Sequence, residues 1–217
     1  SSFEIELRMP AATDARYEAG KARALLHSRS SSAQVRDIGS PPKVVSPGRR
    51  RRAVNDLAHF LRSYFPNAFF LGFSPDHLEV IRALERIATH GGLYAIAMPR
   101  GSGKTTIVVR AALWAILTQR RRFVSVVSST DAAAKKIIKA LKTELAWNAM
   151  LYRDFPREIH GIPQLQGDNR LAGGQVCGGE KTEIKMGVTE LIFPTVAKSG
   201  TSGAIITACG LTGNVRG

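Results

Sequence analysis

The chain has 217 residues, 44% of them hydrophobic and 22% charged, a balance that excludes a disordered or membrane-embedded chain and leaves room for a sizeable core. Thirty-one Lys and Arg against 17 Asp and Glu give a formal charge of +14, a field that attracts polyanions, with a generically basic surface or a missing acidic half as the other readings. No apolar run approaches the roughly 18 uncharged residues of a membrane-spanning helix, and the N-terminal SSFEIELRMPAATD has neither the basic nor the apolar region of a secretion signal, so the expected compartment is cytosolic.

Taken in chain order, the first 13 residues give no reading. Asp14 to Ser28, with Tyr17, Leu25 and Leu26 among small and basic residues, suits a partly amphipathic helix. Residues 28 to 52 combine serine clusters, three prolines and the run Arg49 to Arg52, which reads as a linker. That run is either a DNA contact or a solvated tether. Val54, Leu57, Ala58, Leu61 and Tyr64 then fall on one face of a helix that Pro66 ends. The next helix is fully punctuated, with Ser74 as N-cap, Pro75 at the first position, Asp76 against the dipole and Gly91-Gly92 at the end.

An apolar strand is expected over LYAIAM, residues 93 to 98, followed by a loop and a helix from Thr105 to about Gln119 with apolar residues nearly all round. A strand at Phe123 to Ser128 and a helix capped near Thr130 or Asp131 complete a strand, helix, strand, helix order, the pattern of a parallel sheet. Residues 152 to 188 are rich in Gly and polar groups, with a short helix expected around 163 to 172 and an extended TEIKMG. Two further strands are expected, Glu190 to Phe193 and Ala204 to Cys209, joined by PTVAKSGTSG. Cys177 and Cys209 lie far apart without zinc spacing and read as buried reduced thiols.

The chemistry concentrates in MPRGSGKTT. A phosphate loop has the form Gly-x-x-x-x-Gly-Lys-[Ser/Thr], in which glycines let backbone N–H groups turn around the phosphates, the lysine adds a cation and the hydroxyl takes Mg²⁺. Gly103, Lys104 and Thr105 fill the last three positions, while Met98 occupies the place of the first glycine. A lysine at a helix N-terminus opposes the helix dipole, so an anion beside it is the economical explanation. Arg100 is placed to reach or sense the γ-phosphate, with a surface salt bridge as the bland option. No apolar strand ending in Asp-Glu or Asp-Asp follows Lys104; the simplest reading is that the chain stops before it, the other being a binding-only domain.

Four stretches together resemble the ATPase domain of the large terminase subunit of tailed bacteriophages: MPRGSGKTT, FSPDHLEVI, RFVSVVSSTDAAAKKIIKALKTEL and GAIITACGLTGNVRG, spanning about residues 68 to 217. The resemblance implies an α/β phosphate-loop NTPase of the ASCE type, a mostly parallel sheet flanked by helices, truncated before its acidic Walker B strand. Residues 1–66 would be a basic helical extension and linker, and 67–217 the ATPase domain. It implies ATP and Mg²⁺ as ligands. Pro99, Arg100, Gly101, Ser102, Gly103, Lys104, Thr105 and Thr106 would contact the phosphates, Thr105 would hold the metal, Lys104 and Arg100 would act in catalysis, and Phe73 and His77 would meet the adenine. The implied function is the coupling of ATP hydrolysis to the translocation of double-stranded DNA into a procapsid. The implied partners are a portal protein and a small terminase subunit, with a homo-oligomeric ring on the capsid, in the host cytoplasm. The family's C-terminal RNase H-like nuclease domain has no counterpart here. Two rivals stand beside this reading: another DNA-dependent phosphate-loop ATPase such as a helicase, and a non-catalytic nucleic-acid-binding module in which Lys104 touches DNA.

Overall fold

The structure is a computed structural model that describes residues 17–26 and 35–211. Helix α1, residues 17–26, exposes every residue, including Tyr17, Leu25 and Leu26, so the amphipathic pattern expected there meets no covering surface among the described residues. The ends of that expected helix, residues 14–16 and 27–28, lie outside the described residues.

Residues 47–52, expected as the end of the linker, lie in helix α2 (Pro47–Asn55), with Ser46 accepting from the Arg49 N–H and Pro47 at the first turn. Nor is the apolar face from Val54 to Tyr64 one helix. Asp56 is extended at φ −143°, ψ 100°, and its carboxylate accepts from the His59 N–H, so it ends α2 and caps α3 (Leu57–Tyr64). A side chain that competes with the helix backbone and serves as a cap breaks a pattern that periodicity alone reads as continuous.

Helix α4 (Pro75–His90) has the caps its sequence specifies. The next expected element does not form. Residues 91–99 carry no strand pairing; Leu93 and Tyr94 are exposed, and only Ile96 and Met98 are part-buried against the core. Among LYAIAM only Ile96 is β-branched, and a strand exists only where a neighbour completes its hydrogen bonds. Helix α5 (Lys104–Leu117) follows the loop and buries Ile107, Val109, Leu113, Trp114 and Ile116. The Trp114 indole N–H donates to the Ala53 carbonyl at 2.8 Å and ties α5 to α2.

The main sheet has the order β2-β7-β6-β5, with β2 (Phe123–Ser128) parallel to β7 (Ile205–Gly210), and β6 (Glu190–Ile192) antiparallel to both β7 and β5 (Lys185–Met186). A smaller sheet pairs β1 (Arg36–Asp37) parallel to β3 (Gln175–Cys177), and β3 antiparallel to β4 (Glu180–Lys181). The molecule is therefore α/β with mixed sheets, and the expected mostly parallel sheet is corrected. The short link from β5 to β6 favours an antiparallel neighbour, whereas β2 reaches β7 in parallel because α6 (Asp131–Trp147) and the chain after it provide a long crossover. Ala134, Ile138, Leu141 and Leu145 give α6 its buried face. The Gly210 N–H donates to the Asp131 carboxylate at 2.9 Å, and a Cβ at Gly210 would collide with the Thr130–Asp131 backbone, so the end of β7 must be glycine. The strands expected near 190–193 and 204–209 are thus present, and the helix expected at 163–172 appears as two 3₁₀ turns, Pro163–Leu165 and Asn169–Gly174.

A second packing centre joins α2 and α3 to α7 (Ala149–Asp154) and α8 (Pro156–Ile159). Phe60, Tyr64, Phe65 and Phe155 pack with ring centroids 5.1 to 6.0 Å apart, mostly edge to face. Within this apolar setting the Asp154 side chain is completely buried. It accepts from Arg49 at 2.5 and 3.0 Å, from the Tyr64 hydroxyl at 2.7 Å and from the Ser46 N–H at 3.1 Å. Arg50 reaches the buried Glu158 at 2.6 Å and lies over the Phe155 ring. Burial raises the Tyr64 phenol above its ordinary value, and the bond to Asp154 adds to that shift. Half of the four-arginine run is therefore internal structure, and Arg51 and Arg52 remain exposed. Of the two thiols expected to be buried, Cys177 is, donating to the Gly39 carbonyl, while Cys209 is exposed on β7. No helix among the described residues is long and apolar enough to cross a membrane.

Candidate functional site

The loop between residue 98 and α5 is shaped by two glycines in the left-handed region, Gly101 at φ +80° and Gly103 at φ +79°. Gly103 is the N-cap of α5 and offers no side chain, so the first-turn N–H groups have no side-chain cap. The first N–H of the helix to find a backbone acceptor is that of Ile107, on the Gly103 carbonyl. Serine, threonine, aspartate or asparagine normally fills this position, as Ser74 does on α4 and Thr130 on α6. An uncapped, glycine-led N-terminus collects partial positive charge and aims backbone donors at one place.

Lys104 adds a formal charge there. Among the described residues its ammonium has no carboxylate partner, and it donates instead to two carbonyls of its own loop, Met98 at 2.5 Å and Pro99 at 3.1 Å. Ser102 Oγ is buried without a hydrogen-bond partner. Loop carbonyls and an orphan hydroxyl are weak substitutes for the oxygens of an anion.

A histidine anchors the loop from the other side. His77 sits at the third position of α4, where its Nδ1 accepts from the Ser74 N–H at 3.2 Å and meets the Ser74 hydroxyl at 2.8 Å, while Ser74 Oγ accepts from the His77 N–H. This reciprocal capping box leaves Nε2 as the protonated nitrogen, and it donates to the Ser102 carbonyl at 2.7 Å. The ring thus couples the cap of α4 to the crown of the loop before α5.

Phe73 precedes this cap, packed on Phe69 at 5.5 Å and under the Arg62 guanidinium at 4.7 Å. Together with Phe70 and Leu71, both exposed, it forms the apolar wall of a pocket of about 230 Å³ whose other wall is Gly101, Ser102, Gly103 and Thr106. The structure therefore brings Phe73 and His77, about 25 residues upstream, onto the same cavity as the loop glycines. Pro99, Arg100, Lys104 and Thr105 belong to the same loop but do not line that cavity. The Pro99 carbonyl is occupied by Lys104; Arg100 and Thr105 are exposed, and Arg100 makes no ion pair among the described residues. Sequence reasoning missed Phe69 to Gly72, although NAFFLGF carries a signal: adjacent aromatics ahead of a helix cap without a strand or helix period to bury them.

Among the described residues no group of three His, Cys, Asp or Glu side chains is placed to hold a metal. The Thr105 hydroxyl fits Mg²⁺ only in the manner usual for nucleotide sites, where the ion brings water and phosphate oxygens and takes few protein ligands. Searches of family models, of curated proteins and of solved structures find no match to this chain.

Proposed function

We propose that this chain binds Mg·ATP through the loop at residues 99–106 and is the nucleotide-binding part of a phosphate-loop ATPase, one that drives double-stranded DNA into a viral procapsid. The observation that carries the nucleotide reading is the shared cavity: an apolar aromatic wall on one side and an uncapped, glycine-led helix N-terminus on the other, joined by His77. A flat base suits the Phe69–Phe73 side and an anion suits the α5 side. At about 230 Å³ the cavity is small for a whole nucleotide, so the triphosphate would lie outside it along Lys104 and Thr105.

In this reading the backbone N–H groups of Gly101 to Lys104 hold phosphate oxygens, and Thr106 supports them from the first turn. Lys104 leaves the Met98 and Pro99 carbonyls for the β and γ phosphates, exchanging two neutral acceptors for charged ones. Mg²⁺, when bound, neutralises charge on the phosphate oxygens, with Thr105 as its protein ligand. Arg100 is exposed on the loop and free to reach the γ-phosphate. The motor reading rests on the resemblance of four ordered stretches to terminases and on the +14 charge. DNA, portal and small-subunit contacts, a ring on the procapsid and a site of action in the host cytoplasm follow from it.

Calorimetry of Mg·ATP binding, with phosphate release followed in the same samples, tests the proposal. Binding that Lys104→Ala abolishes and Arg100→Ala preserves, with negligible phosphate release because no acidic strand follows Lys104, is the expected result. No binding by the folded wild-type chain, or equal binding by Lys104→Ala, sinks it.

A further inference from the structure

Away from the nucleotide site, α6 turns a row of lysines outward. Lys135, Lys136 and Lys139 are exposed, and none takes part in an ion pair among the described residues. With Lys142 they wall a groove of about 360 Å³ closed on its far side by Gly187 and Val188. Lys142 is fixed there by donating to the Met186 carbonyl at 2.8 Å. A second groove of about 240 Å³ shares Lys139 and Lys142 and continues to Trp147 at the end of the helix, over a floor that includes Ile162, Leu165 and Met186. No acidic residue lines either groove. From Lys135 to Trp147 the two make one trough about 18 Å long at 1.5 Å per residue.

The chemistry of the trough is selective. A basic rim alone would suit any polyanion, including duplex DNA or an anionic membrane. An apolar floor with Val188 64% exposed, and an indole 65% exposed at the end, suits something with both phosphates and uncovered flat rings. Duplex DNA hides its ring faces within the stack, so it would use the lysines and leave the indole idle. The uncharged polar side chains of the trough, Thr143 and Asn169, already donate to the Lys139 and Met186 carbonyls, so little is left for a row of 2′-hydroxyls, which favours DNA over RNA. We infer that the α6 trough is a docking track for single-stranded DNA, with Lys135, Lys136 and Lys139 on successive phosphates and a base stacked on Trp147.

This track is independent of the nucleotide loop, and its test needs no ATP. The chain has two tryptophans, and Trp114 is buried at 1% exposure, so quenching of the exposed Trp147 reports stacking directly. Titrating the 217-residue chain with an eight-nucleotide oligo-dT is expected to quench that emission. Trp147→Ala is expected to weaken binding about tenfold, as lost base stacking would. Trp147→Phe keeps a ring and should lose less. The joint variant Lys135→Gln, Lys136→Gln, Lys139→Gln should lower the slope of log K against log salt by about 2, at about 0.7 per single-strand phosphate. The proposal is overturned if a duplex, an oligo-U strand or anionic vesicles change the Trp147 emission as strongly, and at as low a concentration, as oligo-dT. Oligo-dT binding without a Trp147 signal overturns it equally.

Discussion

Arg49 and Arg50 on α2 and Lys104 at the head of α5 are all cations in a basic chain, yet their surroundings differ. The arginines meet buried carboxylates, Asp154 and Glu158, and one of them shares its partner with the Tyr64 hydroxyl. Lys104 meets none among the described residues, and rests on two peptide carbonyls beside a helix end that already carries positive potential. The Asp154 cluster is complete and joins α2, α3 and α7, while Glu158 is held through one oxygen and its buried Oε2 has no partner among the described residues. The Lys104 arrangement is incomplete, and an anion would complete it. What separates a structural cation from a binding cation is thus its partner in space, and an Arg-rich run and a Lys-bearing loop look equally functional until those partners are known.

Breaking the completed arrangement has the largest expected effect. Asp154→Ala strands the Arg49 guanidinium, the Tyr64 hydroxyl and the Ser46 N–H in the helical core, and should lower stability by about 3–5 kcal/mol in urea melts. Were the Asp154 cluster a mere surface pair, the loss would stay under about 1 kcal/mol. Lys104→Ala sharpens the contrast from the other side. It should leave the melting midpoint within about 0.5 kcal/mol, as surface substitutions do, while nucleotide affinity falls by two to three orders of magnitude, about 4 kcal/mol for a close ion pair near a surface. Parallel melting and binding assays on the two variants read this double dissociation.

Smaller effects probe the joint between the regions. Ser74→Ala removes the cap of α4 and should cost about 1 kcal/mol of stability. Since the same hydroxyl meets the His77 ring that holds the Ser102 carbonyl, nucleotide affinity should drop as well, which a cap without a link to the loop would not produce. The smallest expected effect is a pH dependence from His59. Desolvation, and the positive charge of Arg52, hold its imidazole below the ordinary value of about 6.5. The unfolded chain therefore binds the proton more readily, and stability falls as pH drops through about 6.5, levelling off once the folded-state value is passed. His59→Gln should flatten that part of the stability curve.

Much of the fold is legible locally. The caps Ser74 and Thr130, the Gly91 terminus, β2 at Phe123–Ser128 and the all-round apolar α5 sit where composition and spacing put them, because each is decided by groups within a few residues. One misreading is local, the break at Asp56 that a helix period overlooks; the two largest involve distant partners. Residues 93–98 read as a strand, but pairing is a property of two segments, and among the described residues no neighbour supplies it. The arginine run read as a DNA contact or a tether because the carboxylates of Arg49 and Arg50 lie 105 and 108 residues away. At the candidate site the loop was legible from Gly103, Lys104 and Thr105 alone, and the pairing of Phe73 and His77 with it was reached only through resemblance. Phe69 to Gly72 were missed, since nothing in their spelling says that they face Gly101 to Gly103.

Photolabelling with 8-azido-ATP, followed by peptide mapping, tests the central claim most directly, because it reports where the base lies. The account predicts covalent adducts within residues 68–77, lost on competition with Mg·ATP and in Lys104→Ala. Adducts confined to other segments, or labelling indifferent to Lys104, would contradict it.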